Sequence, residues 1–172
     1  MAILTLTSAD AGKTIPVSGS LDWEIVGTDA AETIEVAAGT VATVKAGGGK
    51  DVIKLLGGAA DYSVALEGSN AVFTHTVTGK KVFVPMTTAG DSVAFGNGAA
   101  VDLKIDAGAF KLGTQTLTTT SAAVTGATGT ATGGSTGGST AGQSFSLTAN
   151  AEVKTLTAGN DTVDGGTALN SL

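Results

Sequence analysis

Gly27-Thr28-Asp29-Ala30-Ala31-Glu32-Thr33-Ile34 is answered further along the chain by Gly47-Gly48-Gly49-Lys50-Asp51-Val52-Ile53, with Glu32 and Asp51 19 positions apart. Each stretch runs from a glycine turn to an acid, one further residue, and then an apolar residue. Glycine lets the backbone turn sharply, and the β-branched residues after the acid suit a pleated, half-buried strand. A spacing of 19 is roughly one coil built from two nonapeptides, so the two turns can lie beside one another. The pattern predicts an all-β fold, either roll- or solenoid-like or a sandwich, with hairpins.

Working outward, short alternating runs recur. Ile3–Thr7, Trp23–Val26, Thr33–Val36, Thr40–Lys45 and Asp51–Leu56 read as strands. Tyr62, Val64 and Leu66 alternate with small or polar residues. Gly68-Ser69-Asn70 then reads as a hairpin turn into Val72–Val77, and Thr78-Gly79-Lys80 as a second turn into Val82–Val84. Pro85 is expected to close that strand at a sheet edge, because proline cannot donate to a ladder. Val93–Phe95, Val101–Ile105 and Phe110–Leu112 follow, with Asn97-Gly98 marking a tight turn. No stretch carries the caps and spacing of a helix.

The composition agrees. Among 172 residues there are 26 Gly, 2 Pro and no Cys, and aromatic residues make up 4%. A core must therefore come from Val, Ile, Leu and Ala in thin layers, which suits packed sheets better than an enzyme with a deep cleft. All nine basic residues are Lys, and the net charge is −6. Without arginine's planar fork or a basic face, nucleic-acid binding is not expected. Absent cysteine removes disulfides, thiol catalysis and Cys-based zinc sites. No run of about 18 apolar residues occurs, so membrane insertion is not expected either.

Three zones differ. Residues 1–124 hold the hydrophobic pattern and form an all-β module. Residues 125–142, made of Gly, Thr, Ser and Ala with Ala141 and Gly142 at the end, read as a flexible linker. Residues 143–172 resume a strand-like pattern and read as the truncated start of a second β repeat.

The acids beside the glycines are the candidate functional residues. Calcium takes about six to eight hard oxygen ligands. A sharp turn can present carbonyl oxygens inward, and an adjacent carboxylate adds more, so two stacked turns can make a site. On this reasoning Asp29, Glu32 and Asp51 are candidate metal ligands in the first module. Asn160, Asp161 and Asp164, in Gly159-Asn160-Asp161-Thr162-Val163-Asp164-Gly165-Gly166, are candidates in the second. Gly and Asp are also ordinary turn residues, so plain turns stand as the alternative.

Several quoted segments resemble a known group. Glu32-Thr33-Ile34, Gly47-Gly48-Gly49-Lys50-Asp51-Val52-Ile53, Ala60-Asp61-Tyr62-Ser63-Val64, Val72-Phe73 and Asp91-Ser92-Val93-Ala94-Phe95 look like the degenerate repeats-in-toxin (RTX-like) module of large type I-secreted bacterial proteins. Gln143–Thr148, Leu156–Val163 and Leu169–Leu172 are similar to a repeated opening of bacterial surface-layer and adhesin proteins. The resemblance implies calcium as cofactor, a secreted or cell-surface location, and export by a C-terminal signal outside these residues. Asp29 sits early in the first turn, and Glu32 stands where the pattern has aspartate.

Enzyme readings fare poorly. His75 is the only histidine and falls in the hairpin run, where a surface or strand-pairing role is expected; no Gly-x-Ser-x-Gly elbow accompanies it. Asp22 and Glu24 flank Trp23 on one strand, whereas glycosidase carboxylates face each other across a cleft about 5–10 Å wide. Trp23 is expected in the core. Gly47-Gly48-Gly49-Lys50 lacks the rest of a phosphate loop. The sequence thus points to a non-catalytic structural module that assembles with copies of itself into a surface layer or biofilm matrix, with cell-envelope polysaccharide as a further candidate partner. The alternatives are a carbohydrate- or receptor-binding module of an adhesin, with Trp23 and Tyr62 lining a groove, and an accessory domain of a secreted hydrolase.

Overall fold

A computed structural model describes residues 1–132, 144–146 and 162–164. The chain divides into two compact units, Met1–Gly134 and Ser135–Leu172.

The first unit is all-β. It begins with β1 (Ala2–Thr5), β2 (Thr14–Val17), β3 (Asp22–Val26), β4 (Thr33–Val36), β5 (Val41–Lys45) and β6 (Val52–Leu55), which alternate between two sheets. Within each sheet these strands pair in parallel. In the first, Ala2 lies opposite Trp23 and Asp22 opposite Val41; in the second, Thr14 lies opposite Thr33, and Thr33 opposite Val52. The repeat is therefore 19 residues at three of these four steps and 21 at the first. It arises because each strand of four or five residues is followed by a glycine-bearing turn that carries the chain to the other sheet.

The winding is then interrupted by the hairpin β7 (Tyr62–Glu67) and β8 (Asn70–His75), joined through Gly68 and Ser69. Gly68 has φ +64°, in the left-handed region that hairpin turns of this length require. The chain resumes with β9 (Lys81–Pro85) beside β5 and β10 (Asp91–Phe95) beside β6, again in parallel, but now 40 residues on: Ala42 lies opposite Val82, and Val52 opposite Ser92. The antiparallel strands β11 (Val101–Asp106), β12 (Ala109–Leu112) and β13 (Gln115–Thr116) complete the second sheet, and β14 (Ala122–Ala123) joins β7. Each sheet has seven strands, in the orders β1-β3-β5-β9-β8-β7-β14 and β13-β12-β11-β10-β6-β4-β2.

The core lies between the sheets. Ile25, Val44, Phe73 and Val84 from the first meet Ile34, Val36, Ile53, Leu55 and Phe95 from the second, all fully buried. Phe95 stands at the centre, 5.6 Å from the Tyr62 ring and 5.7 Å from the Phe73 ring in tilted and edge-on contacts. Trp23 is partly buried against this core, and its indole N–H donates to Ser18 O at 3.1 Å.

Three features differ from the sequence expectation. Thr14–Val17 is a strand despite Pro16, because β2 is an edge strand. Pro85 does not lie at an edge: β9 is flanked by β5 and β8, and proline is tolerated because pairing with β5 stops at Phe83. The third concerns the stretch 125–142 read as a linker, whose residues up to Thr132 are held against the module. Gln115 Oε1 accepts from Thr125 N and Gly126 N, Ala59 N donates to Gly129 O, and Asn97 N and Oδ1 bond Thr130 O and N. The remainder, 133–142, lies outside the described residues.

In the second unit, β15 (Ser144–Ser146) and β16 (Thr162–Asp164) pair in parallel, with Ser144 opposite Thr162.

Candidate functional site

The residue at the entrance of each second-sheet strand of the winding, just before β2, β4 and β6 and first in β10, occupies one corner, turn after turn. Thr33 N donates to Lys13 O, Val52 N to Glu32 O, and Ser92 N to Asp51 O. Lys13, Glu32, Asp51 and Asp91 therefore stack in a row along the module. Each lies two residues before an inward-facing Ile or Val, and side chains two apart on a strand share a face. The acids consequently point toward the interior, and both Glu32 and Asp51 are buried.

Asp51 is the centre of the row. Its Oδ1 accepts Glu32 N at 2.7 Å, while its own N–H approaches Asp91 Oδ1 at 3.3 Å. Each aspartate thus bonds the backbone of the acid one turn earlier. Glu32 instead folds back on its own turn, where the Thr28 hydroxyl donates to Oε1 and Thr28 N lies 3.3 Å from Oε2. Asp51 Oδ2 is buried with no hydrogen-bond partner. Burial pushes the Asp51 carboxyl up to about 6, and the charges of Asp91 and Glu32 add to the rise. Burial raises Asp91 too, with Lys50 opposing. Lys50 itself pairs with Asp102 at 3.7 Å, and Lys13 with Asp10 at 4.0 Å.

The sequence brought Glu32 and Asp51 together correctly. Asp29 stands apart from them, beside the next turn: a Cβ built on Gly48 would lie 3.2 Å from both its Cα and its Oδ1. Asp164 falls in β16, while Asn160 and Asp161 lie outside the described residues. Asp91 is the member that spacing missed. Its signal, Gly90-Asp91-Ser92-Val93, matches the turn pattern, but the hairpin places it 40 residues after Asp51 rather than 19.

The turns themselves are tightly closed. Gly48 N donates to Thr28 O and Gly12 N to Ala31 O, both at 2.8 Å. A Cβ on Gly27 or Gly47 would run into the carbonyl of Ala46 or Thr28. Thr28 O and Ala31 O thus each already accept an N–H from the adjoining turn. Among the described residues no group of three or more acids or histidines forms a cage for a metal ion. The acidic row supplies neighbouring carboxylates and one buried oxygen without a partner, which is only part of a calcium ion's coordination need.

Elsewhere, His75 is buried opposite Tyr62, its ring edge-on at 5.2 Å, and its Nδ1 accepts from Thr78 N at 3.3 Å. Glu24 is paired with Lys45 at 2.7 Å. No helix among the described residues is long and apolar enough to cross a membrane. No family model matches the chain, and neither does any curated protein or solved structure.

Proposed function

We propose that this chain is a non-catalytic, self-assembling module of a secreted surface-layer or biofilm matrix protein, and that its winding half is a β-roll whose folding responds to calcium. The observation that carries the reading is the row Glu32, Asp51, Asp91. Three carboxylates share one corner of consecutive turns, and a buried oxygen of Asp51 has no partner. Such a row holds surplus negative charge that a cation or a proton relieves. Calcium would be held first by the unpartnered Oδ2 of Asp51, and the carboxylates of Glu32 and Asp91 would have to turn toward it from the neighbouring turns. It would supply charge neutralisation and tie successive turns together. The carbonyls of Thr28 and Ala31 already accept one N–H each between turns, so they would offer an ion only their second lone pair.

The surroundings of His75 support a structural role. Its partners are Tyr62 and Thr78, neither of which is an acid that would orient it as a base. The glycan-binding alternative gains no support from Tyr62, which is buried rather than lining a groove.

The test is circular dichroism and light scattering on chelator-treated protein, before and after adding calcium, with magnesium as control. Calcium-specific gain of thermal stability and growth of ordered particles is the expected result. A protein with unchanged melting and particle size in calcium would refute the calcium reading. A protein that binds calcium but never assembles would refute the assembly reading.

A further inference from the structure

At one end of the winding the two sheets finish on β1 and β2, and the two edges offer different groups. In a parallel pair alternate residues bond the neighbour. On β2, Lys13 O and Val17 O accept from Thr33 N and Ala37 N, so Lys13, Ile15 and Val17 face β4, while Thr14 and Pro16 face away. Pro16 has no N–H, so this edge is blunted at its centre. On β1, Leu6 N donates to Val26 O, so Ala2, Leu4 and Leu6 face β3. Ile3 and Thr5 then turn both N–H and C=O outward, where no strand lies among the described residues.

The same edge is apolar. Four large hydrophobic side chains stand out as exposed among the described residues, and three are here: Met1 at 83%, Ile3 at 64%, and Leu21, directly before β3, at 55%. The run Ala2-Ile3-Leu4-Thr5-Leu6 carries no charge.

We propose that β1 is a self-pairing edge, and that two copies of this chain join by antiparallel pairing of β1 with β1 about a two-fold axis at Leu4. The register follows from the outward groups. Ile3 of each copy lies opposite Thr5 of the other and exchanges both N–H···O bonds with it, and Leu4 lies opposite Leu4 across the axis. A second copy is the partner that the charges favour. In an isologous contact the same patch meets itself about the axis, so a charge near the centre would face its own copy; this strand has none, although the whole chain carries −6. A charged partner would find no counter-charge on this strand. Leu4, only partly buried against the core, would be covered by its own copy. The contact closes on itself, so it makes a dimer, and Pro16 keeps the neighbouring edge from forming a full second ladder. No acid of the Glu32–Asp91 row takes part. The proposal goes beyond the calcium reading and stands whether or not calcium acts.

The experiment is sedimentation of the full chain in chelator across a wide concentration range, with three variants. Thr5→Pro removes an outward N–H and leaves every β1–β3 bond in place, as Pro16 does on β2. Ile3→Lys places like charges diagonally across the axis while leaving the core alone. Leu4→Cys gives the chain a single cysteine at the axis, where paired Cα atoms about 4.5 Å apart fall within disulfide range. We expect a reversible dimer, at least tenfold weaker in Thr5→Pro and Ile3→Lys at unchanged circular dichroism. We also expect disulfide dimers from Leu4→Cys well before they form from Val77→Cys, whose cysteine is exposed away from this edge. A wild-type chain that stays monomeric overturns the proposal, as does association undiminished in Ile3→Lys, or Leu4→Cys oxidising no faster than Val77→Cys.

Discussion

Replacing Asp51 by asparagine should stabilise the calcium-free protein at alkaline pH. The amide keeps an oxygen to accept Glu32 N, has nearly the same shape, and removes a buried charge that lies between Asp91 and Glu32. The magnitude follows from the carboxyl's rise from 3.8 to about 6. At about 1.36 kcal/mol per unit this sets an upper limit of about 3 kcal/mol on the cost of charging Asp51 in the fold. The new amide hydrogens occupy the place of Oδ2, and if left unbonded they offset about 1 kcal/mol or more of the gain. The net expectation at pH 8 is a stabilisation of about 1–2 kcal/mol, or a Tm higher by a few degrees. The sign with pH is fixed by the raised value. The folded state binds the proton more tightly than the unfolded state, so the wild type gains stability as pH falls from about 6 to 3.8 and loses it as pH rises through that window. Asparagine should flatten that slope and leave the two proteins similar near pH 4. Thermal melts in chelator at pH 4.5, 6 and 8 provide the assay. A Tm for Asp51→Asn that falls at pH 8, or a wild-type slope that survives the substitution, would refute the view that Asp51 is a charge under strain. If calcium stabilises the wild type, the same variant should lose most of that effect.

Other outcomes follow from the packing. Gly27→Ala should cost about 3 kcal/mol or more, because its Cβ meets the Ala46 carbonyl. Gly68→Ala, whose Cβ meets nothing within 4 Å, should cost only about 1 kcal/mol for its positive φ; paired denaturant titrations would show the difference. Phe95→Ala, which empties the space between Tyr62 and Phe73, should destabilise by about 3–5 kcal/mol and broaden the aromatic NMR signals of both neighbours. Asp91→Asn should lower the midpoint of Asp51 titration, followed by carboxyl NMR, since one of the charges raising it is gone. Gln115→Ala removes the acceptor that holds Thr125 N and Gly126 N, and should speed protease cleavage within 125–132 without lowering the global Tm by more than about 2 kcal/mol equivalent.

The sequence was most legible where one residue class repeats at fixed spacing. Glu32 and Asp51, each followed two positions on by isoleucine, located adjacent turns because the parallel winding repeats at 19 residues over this part of the chain. The same logic failed at Asp91 only because a hairpin was inserted into the coil, so the spacing more than doubled while the register was kept. Pro85 reads as marking a sheet edge and does not lie at one, whereas Pro16 does sit on an edge strand. A proline marks a position where one N–H is not needed. On β2 that position faces outward from an edge, and on β9 it lies beyond the end of pairing with β5. Both satisfy the same chemical condition, and the sequence does not tell which. The stretch 125–132 looked like a linker because it has no large apolar side chain; only the small Ala127 reaches the core. It is anchored through its backbone, against Leu56, Ala59 and Asn97 and by the amide of Gln115, and backbone bonding leaves no compositional trace.

That same distinction separates the two candidate functions of the glycine turns. A turn kept for calcium needs carbonyl oxygens free to face the ion, whereas a turn kept for packing needs them bonded to the next turn. Thr28 O and Ala31 O are bonded, and glycine is required at 27 and 47 because the neighbouring turn approaches closely. Glycine at these positions is therefore explained without an ion. Asp51 is explained only in part: its Oδ1 accepts Glu32 N, but its Oδ2 is buried without a partner, and an unpaired buried charge costs stability. Asp51, rather than the glycines of the corner, is thus the residue whose presence asks for a partner. It follows that substitution at Asp51 is the informative test of cation binding, because a glycine substitution would disrupt the stack whichever function the turns serve.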